Sequence, residues 1–239
     1  MKKIYLFGLL LAGVLLGLTS CNDDNDELTD SRLTYYADLQ LQGDEFMLVP
    51  IGSNFVDPGC TGTLAGEDIT DKIVIEGADE VDPNSPGFYY ITYSAVGSDG
   101  YPASVERTVC VYDPSVTTDI TGEYTVQAGS YRYWFSSGAV VQFSGFPISI
   151  EMAAPGIFYI SDMMGGYYDQ GVGYGSRYAM NGYLQLTPDN EILALSGIVP
   201  GWGDSYDDFY DGKYDPETKT VTYDMDYAGS MMFHIILSL

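Results

Sequence analysis

The chain has 239 residues, with 34 Asp or Glu against 9 Lys or Arg and 1 His, for a formal charge of −25. Phosphate backbones are bound by clustered cations, whereas Arg32, Lys72, Arg107, Arg132, Arg177, Lys213 and Lys219 stand singly, which argues against a nucleic-acid partner. Three cysteines without a CxxC or Cys/His cluster give no basis for a zinc or iron site or other cofactor, and one histidine leaves little scope for histidine-based catalysis.

Residues 1–20 read as a lipoprotein signal peptide. Lys2 and Lys3 precede an apolar run from Ile4 to Leu18, and Leu18-Thr19-Ser20-Cys21 supplies the small residues and the cysteine that lipoprotein processing requires. The run is shorter than the roughly 20 residues that span a bilayer, so the mature chain is expected to start at a diacylated Cys21. Asn22-Asp23-Asp24-Asn25-Asp26-Glu27 is too polar to pack, and residues 21–31 are expected to form a solvated acidic tether. An acidic run directly after the lipidated cysteine resembles the signal that sends Bacteroidetes lipoproteins to the outer face of the outer membrane. The expected location is therefore the outer membrane, lipid-anchored and facing the exterior. With Lys2 and Lys3 removed, 7 basic residues remain against 34 acidic ones, a balance that also serves solubility.

Residues 32–113 carry short alternating segments broken by Gly, Pro and Asp, with no useful helical periodicity. In Gly87-Phe88-Tyr89-Tyr90-Ile91-Thr92-Tyr93-Ser94-Ala95, one face takes Tyr89, Ile91, Tyr93 and Ala95. Ser98-Asp99-Gly100 then supplies a turn, and a strand from Val105 to Tyr112 closes the unit. About eighty residues of this kind suit a seven-strand sandwich. Phe55-Val56-Asp57-Pro58-Gly59-Cys60, Ile69-Thr70-Asp71, Val81-Asp82, Gly87 to Tyr93, Asp99-Gly100 and Arg107-Thr108-Val109-Cys110-Val111-Tyr112 resemble the immunoglobulin-like repeats of bacterial surface proteins. In that family such repeats are mostly spacers and stalks. Cys60 and Cys110 depart from the family pattern, and their joint occurrence in an exported protein points to a disulfide between the first and last strands, with two free, half-buried thiols as the alternative. Cys110 alternates away from Val109 and Val111.

Residues 114–119 form a linker, and residues 120–239 a second all-β domain. Phe146, Ile148, Ile150 and Met152 oppose Pro147, Ser149 and Glu151, while Val221, Tyr223 and Met225 oppose Thr222, Asp224 and Asp226. Turns at Thr187-Pro188-Asp189-Asn190 and Asp215-Pro216-Glu217-Thr218 mark hairpins. Phe233-His234-Ile235-Ile236-Leu237 reads as a strand with His234 on the outer face. The expected fold is an antiparallel meander, closed as a barrel or folded as a sandwich.

Gly122-Glu123-Tyr124, Pro155 to Asp162, Gly165-Gly166-Tyr167-Tyr168, Gly173-Tyr174-Gly175 and Val199 to Asp204 resemble the C-terminal domain of small Bacteroidetes surface lipoproteins associated with polysaccharide utilisation. The resemblance implies little chemistry, because the ligands of that family are mostly unassigned. Two long loops are expected, at Met163–Tyr178 and Pro200–Gly212, and loops of such length in a compact domain are more often functional than not. They gather aromatics with acceptors, the chemistry of sugar recognition: rings stack on the apolar C–H face of a pyranose while carboxylates and amides accept its hydroxyl protons. Trp202 is the natural platform. Tyr206, Tyr168 and Tyr174 are further rings, Asp204, Asp207, Asp208 and Gln170 are acceptors, and the competing role for the loops is to cover a barrel end. Trp134, within Tyr131-Arg132-Tyr133-Trp134-Phe135, is expected in the core.

Asp204, Asp207, Asp208 and Asp211 could ligate calcium, but they lack the alternate-residue order of an EF-hand loop, and no metal site is assigned. A glycosidase needs a carboxyl in a pocket that raises its pKa, across the scissile bond from a second one, and nothing in the sequence isolates such a group. These features together give the expectation of a non-catalytic, surface-anchored glycan-binding accessory of a polysaccharide-uptake system. The alternatives are a structural or interaction subunit meeting a partner such as an outer-membrane transporter and, third, a glycoside hydrolase.

Overall fold

A computed structural model gives the structure of residues 34–97 and 100–239. The leader, Cys21, the acidic tether and the Ser98-Asp99 part of the expected turn lie outside the described residues. Seven strands build the first unit: β1 (Asp38–Leu41), β2 (Phe46–Pro50), β3 (Cys60–Leu64), β4 (Glu67–Asp68), β5 (Val74–Glu76), β6 (Gly87–Val96) and β7 (Pro102–Tyr112). They form two sheets, β1-β3-β4 and β2-β7-β6-β5. The long hairpin β6–β7 pairs Gly87 with Val111 through to Val96 with Pro102, and β2 joins β7 in parallel. Ile91, Tyr93 and Ala95 face Leu39, Val49, Ile69, Val109 and Val111, so the alternation of β6 and β7 places the core of an immunoglobulin-like sandwich.

The same alternation puts Arg107 inside, in the register of Val105, Val109 and Val111, where it is fully buried. A charge there needs a partner and filled donors. Its Nη1 meets Asp57 Oδ1 at 2.6 Å, its Nη2 donates to the carbonyls of Gln42 (2.7 Å) and Gly59 (3.1 Å), and the guanidinium lies 5.7 Å from the centre of the Tyr93 ring. The Tyr93 hydroxyl donates to the same Asp57 oxygen at 2.5 Å. Asp57, from the segment Asp57-Pro58-Gly59, thereby ties the approach to β3 to the two central strands.

Cys60 and Cys110 are both free and buried, which corrects the expected disulfide. The reason is strand alternation: Cys60 packs inside the sandwich with Val109 and Val111, while Cys110 points out of the other face. There it joins Phe88, Ala154 and Ile157 in a small apolar cluster between the two units. Burial pushes the Cys110 thiol up to about 12, which leaves it protonated and unreactive.

The second unit comprises β8 (Gly122–Val126), β9 (Tyr131–Trp134), β10 (Val140–Gln142), β11 (Pro147–Ala154), β12 (Ile157–Ile160), β13 (Asn181–Leu186), β14 (Ile192–Ile198), β15 (Tyr206–Asp215), β16 (Thr220–Tyr227) and β17 (Met231–Ser238). All pair antiparallel in one ten-stranded sheet. It curls until β14 stands beside β15, joined by the bridge between Glu191 and Lys213 and by Tyr214 N–H donating to the Asn190 carbonyl. β8 and β9 follow one another along β17, which pairs Leu237 with Val126 and Met231 with Trp134. Between them the chain steps out at Gln127–Ser130, and the Ser130 hydroxyl accepts the Ile236 N–H at 3.0 Å to close the gap.

Inward residues of each strand fill this curl: Ile148 and Ile150, Leu184 and Leu186, Val221, Tyr223 and Met225, Phe233, Ile235 and Leu237. His234 faces outward as its alternation requires, paired with Asp224 at 2.5 Å. Met152 is exposed instead of inward; it stands beside the register shift of β11 on β12 between Met152 and Ala154, and Ala154 joins the outer cluster around Cys110. The expected loop Pro200–Gly212 is likewise shorter, since β15 already begins at Tyr206, with register irregularities at Tyr206/Asp208 and Tyr210/Lys213.

The Arg107 network gives a direct test. Asp57→Ala leaves a buried cation unpaired and should lower the unfolding free energy of the first unit by about 3 kcal/mol or more. Adding Arg107→Met should restore a large part of it. Urea unfolding of the soluble chain measures both, and equal losses in the single and double variants would show that the pair is not coupled.

Candidate functional site

The connection between β12 and β13 does not arch over solvent. It folds inward, and Met163, Met164, Tyr167 and Met180 are buried against Phe233, Ile235 and Tyr223. One side chain organises it. Asp162, only 2% exposed, accepts the Met164 N–H (2.8 Å) and Met180 N–H (3.0 Å) on Oδ1 and the Gly166 N–H (3.0 Å) on Oδ2. It thus holds the start and the end of the segment together, and Met163 N–H donating to the Met180 carbonyl (2.7 Å) adds a further tie. The Tyr223 hydroxyl, from the barrel wall, donates to the Met163 carbonyl at 2.9 Å.

Gly165 and Gly166 follow with φ of 62° and 74°, the left-handed region. A Cβ at Gly166 would lie 2.8 Å from Phe146 Cβ, so this turn needs glycine for space as well as for φ. The segment then makes a five-residue π-turn, Tyr167–Gly171, and a 3₁₀ turn, Ser176–Tyr178, and re-enters the sheet at β13. It closes one end of the barrel and leaves a band of rings on the outside of the plug.

Trp202 caps that band. Its own turn is fixed by backbone bonds from Trp202 and Gly203 N–H to the Val199 carbonyl (3.1 and 2.7 Å) and from Gly201 N–H to the Arg177 carbonyl (2.6 Å). A Cβ on Gly201 would meet the Tyr178 ring at 2.7 Å, so glycine lets the two loops touch. The indole stands edge-to-face on Tyr168 (centroids 4.9 Å, 90°) and Tyr174 (6.2 Å, 89°), and tilted beside Tyr178 (4.9 Å) and Tyr227 (6.4 Å). Trp202 nonetheless remains 42% exposed. With Gly173, Tyr174 and Tyr178 it lines an open cleft of about 580 Å³, within the size range of small-ligand sites. A larger hollow, about 660 Å³, lies between turns at Asp189, Asn190, Pro216 and Glu217 and has no exposed ring on its walls.

Of the expected site residues, Trp202, Tyr168 and Tyr174 meet in this cluster. Tyr206 does not: it packs sideways on Phe209 (6.2 Å) and over Gly197. Gln170 turns away to donate to the Pro147 carbonyl at 3.2 Å. The three aspartates are exposed, but their carboxylates already accept from the chain. Asp204 takes the Tyr227 hydroxyl on both oxygens at 2.9 Å, Asp207 the Gly229 N–H at 2.6 Å, and Asp208 the Phe209 N–H at 2.8 Å. Asp204 and Asp207 thereby brace the start of β15 and the turn before it against the end of β16 and the β16–β17 turn, while the Asp208 bond is local. No group of three or more His, Cys, Asp or Glu that could hold a metal occurs among the described residues.

Tyr178, Tyr227, Asp162 and Arg132 were not picked out from the sequence. Tyr227 continues the inward series of β16 and reads there as core, while Asp162 sits in a stretch of ordinary loop composition. Arg132 lies on β9 opposite Phe233, with its guanidinium carbon 4.9 Å from the Trp134 ring centre and 4.7 Å from that of Tyr167. Trp134 packs against the core as expected, but is only half-buried. Burial raises the Tyr168 hydroxyl, and the neighbouring Arg132 pulls it back.

These two units, an immunoglobulin-like sandwich followed by a curled antiparallel sheet plugged at one end, define a two-domain, all-β protein. Residues 39–111 match the family model "Bacterial surface protein, Ig-like domain". Residues 113–239, more than half of the chain, match a family model described as a "-like, C-terminal domain". Among solved structures, the lipoprotein BT2262 from Bacteroides thetaiotaomicron is 43% identical, covering 85% of this chain and 100% of its own, with a TM-score of 0.49. The chain belongs to the family of that lipoprotein. The CBM51-2 domain in complex with GlcNAc and the INT domains of Clostridium perfringens ZmpB match at 19% identity over 52% of this chain and 28% of theirs (TM-score 0.26). A Bacteroides ovatus protein of unknown function matches at 11% over 86% and 80% (TM-score 0.28). Superpositions this weak carry no argument, and the family rests on sequence. No curated protein matches the chain.

Burial pushes Asp162 up to about 7, against the pull of its three N–H donors and with a smaller upward push from Asp169. A folded-state value above the unfolded one means that the stability this group contributes is fully present below about pH 4 and is lost as pH rises through about 7. Asp162→Asn cannot titrate, so its melting temperature should improve relative to wild type as pH rises from 4 to 8. A pH-independent difference between the two would contradict the assignment.

Proposed function

We propose that this protein is a non-catalytic glycan-binding lipoprotein, held by an acylated Cys21 on the outer face of the outer membrane as an accessory of polysaccharide uptake. The immunoglobulin-like unit is the spacer, and the second unit carries the site. One observation supports this reading above the others: an indole left exposed at the centre of five packed rings, over an open cleft, at the plugged end of a barrel. A buried core would cover Trp202, and an exposed indole held rigid by its neighbours is a ready stacking surface for a sugar ring. Asp162, the carboxyl raised most clearly by burial, is enclosed among backbone donors rather than open to a cleft, which speaks against a hydrolase.

A second reading has its own observation. The outermost strand of the sheet, β10, exposes Val140 and Val141 beside Phe135, and an apolar open edge of this kind can meet a protein partner such as a transporter subunit. A glycan array probed with the soluble chain from Asp26 onward separates the two. Glycan binding should be retained by wild type and weakened at least about tenfold by Trp202→Ala, with little change in melting temperature. A blank array together with a large fall in the melting temperature of Trp202→Ala would reject the binding site and favour the partner.

A further inference from the structure

One tip of the immunoglobulin-like unit gathers Tyr35, Tyr36, Val96 and Tyr101, large side chains that are 45% to 63% exposed. The β6–β7 turn forms this tip, with Val96 paired to Pro102 and the Gly97 N–H donating to the Tyr101 carbonyl at 2.9 Å. The incoming chain lies against the turn. A Cβ on Gly97 would stand 2.7 Å from the Tyr35 carbonyl oxygen, so glycine permits this approach, and the Tyr36 ring centre rests 5.8 Å from that of Tyr101. A groove of about 460 Å³ beside the turn, with Leu64, Val74 and Val96 on its walls, extends the apolar surface.

Single exposed apolar residues are ordinary, whereas a contiguous patch marks a surface that meets something. The second unit attaches at the far end of the first: β7 starts at Pro102 on the tip and ends at Tyr112 before the linker, a rise of about 33 Å. On the side of the tip lies the start of the chain. Thr34 is thirteen residues beyond Cys21, and at most about 3.5 Å per residue lets that stretch span no more than about 45 Å. An acylated Cys21 therefore keeps the tip within reach of the bilayer, and a contact made within one anchored molecule needs little intrinsic affinity. Tyrosine suits a lipid–water boundary, because its ring is apolar and its hydroxyl stays wet. Lys72 is the cation on the groove wall, and Glu67 and Asp68 follow Leu64 in the next strand. The tip thus lacks the cluster of Lys and Arg that seeks anionic headgroups, and fits a zwitterionic surface.

We infer that this tip is a membrane-contact surface: Tyr35, Tyr36, Val96 and Tyr101 seat in the headgroup layer beside the acyl anchor, and the immunoglobulin-like unit stands on the lipid and carries the second unit away from it. The inference rests on the acylated Cys21 of the proposed function and is independent of what the Trp202 cleft binds.

Quenching by lipid tests it. The acylated full chain is placed in phosphatidylcholine vesicles, with and without bromine on the upper acyl carbons, as wild type and as Tyr101→Trp. The two native tryptophans lie in the second unit and serve as the internal control. The introduced indole should lose emission in brominated vesicles while wild type does not. Adding Tyr36→Asp and Val96→Asp, both at exposed positions, should restore that emission while the protein still floats with the vesicles. Equal emission of Tyr101→Trp in both lipids, from protein that floats, would overturn the contact. Emission already blue-shifted without lipid and unquenched with it would assign the patch to the chain's own Leu28–Leu33 segment. A dimer of the soluble chain from Asp26 onward, dissociated by the two Asp substitutions, together with no quenching, would assign it to a second copy. Quenching of the native tryptophans alone would set the opposite end on the membrane. Wild type that fails to float would remove the anchor and this inference together, and the glycan array would still decide the cleft.

Discussion

The carboxylate of Asp162 holds the second domain in the form that gives it a site. Three backbone N–H groups converge on it from residues on both sides of an eighteen-residue excursion, Met164, Gly166 and Met180. A segment of that length left to itself would carry many unpaired backbone groups into any buried space, and such groups are costly. The clamp satisfies the donors at the segment's two ends, and Tyr223 supplies a donor to Met163 from the wall. With those groups satisfied, Met163, Met164 and Tyr167 can enter the end of the barrel and bury their apolar surface there.

Everything at the rim follows from this. A curled antiparallel sheet often encloses a ligand cavity, but here the plug occupies that end and the ring cluster forms outside it. Tyr168 stands on the outer side of the plug, Tyr174 and Tyr178 follow in its turns, and Trp202 reaches over from the next connection because Gly201 allows close contact. The aspartates of the β14–β15 connection then act as braces, tying it to Tyr227 and to the Gly229 turn. The platform is rigid for a reason that can be traced residue by residue, and rigid aromatic surfaces lose little entropy when a ligand arrives.

Much of the architecture could be read from strand alternation. The inward faces of β6, β13, β16 and β17 and the turns at Pro188 and Pro216 need only period two and turn chemistry. The features that escaped depend on contacts between distant segments. Whether Cys60 and Cys110 bridge depends on which face of the sheet each occupies, and alternation had already turned Cys110 away from Val109 and Val111. Arg107 looked like one more scattered cation, because its partner Asp57 lies fifty residues earlier. The rings of the cleft were legible as a concentration of Tyr and Trp among glycines. Which of them meet, and that the neighbouring aspartates each accept a bond from the chain, was not, since Tyr206 and Gln170 share the composition of Tyr168 and Tyr174 and point elsewhere.

Trp134 and Trp202 are the two tryptophans of the chain, so their indole N–H groups give two assignable resonances, one on the core side of the ring row and one at its exposed end. Following both by NMR while titrating a glycan found to bind is the most direct test that the cleft at Trp202 is the binding site. The account predicts a saturable shift of the Trp202 indole at the calorimetric affinity, larger than that of Trp134. Binding measured by calorimetry with the Trp202 resonance unmoved would place the ligand elsewhere on the molecule and contradict the account.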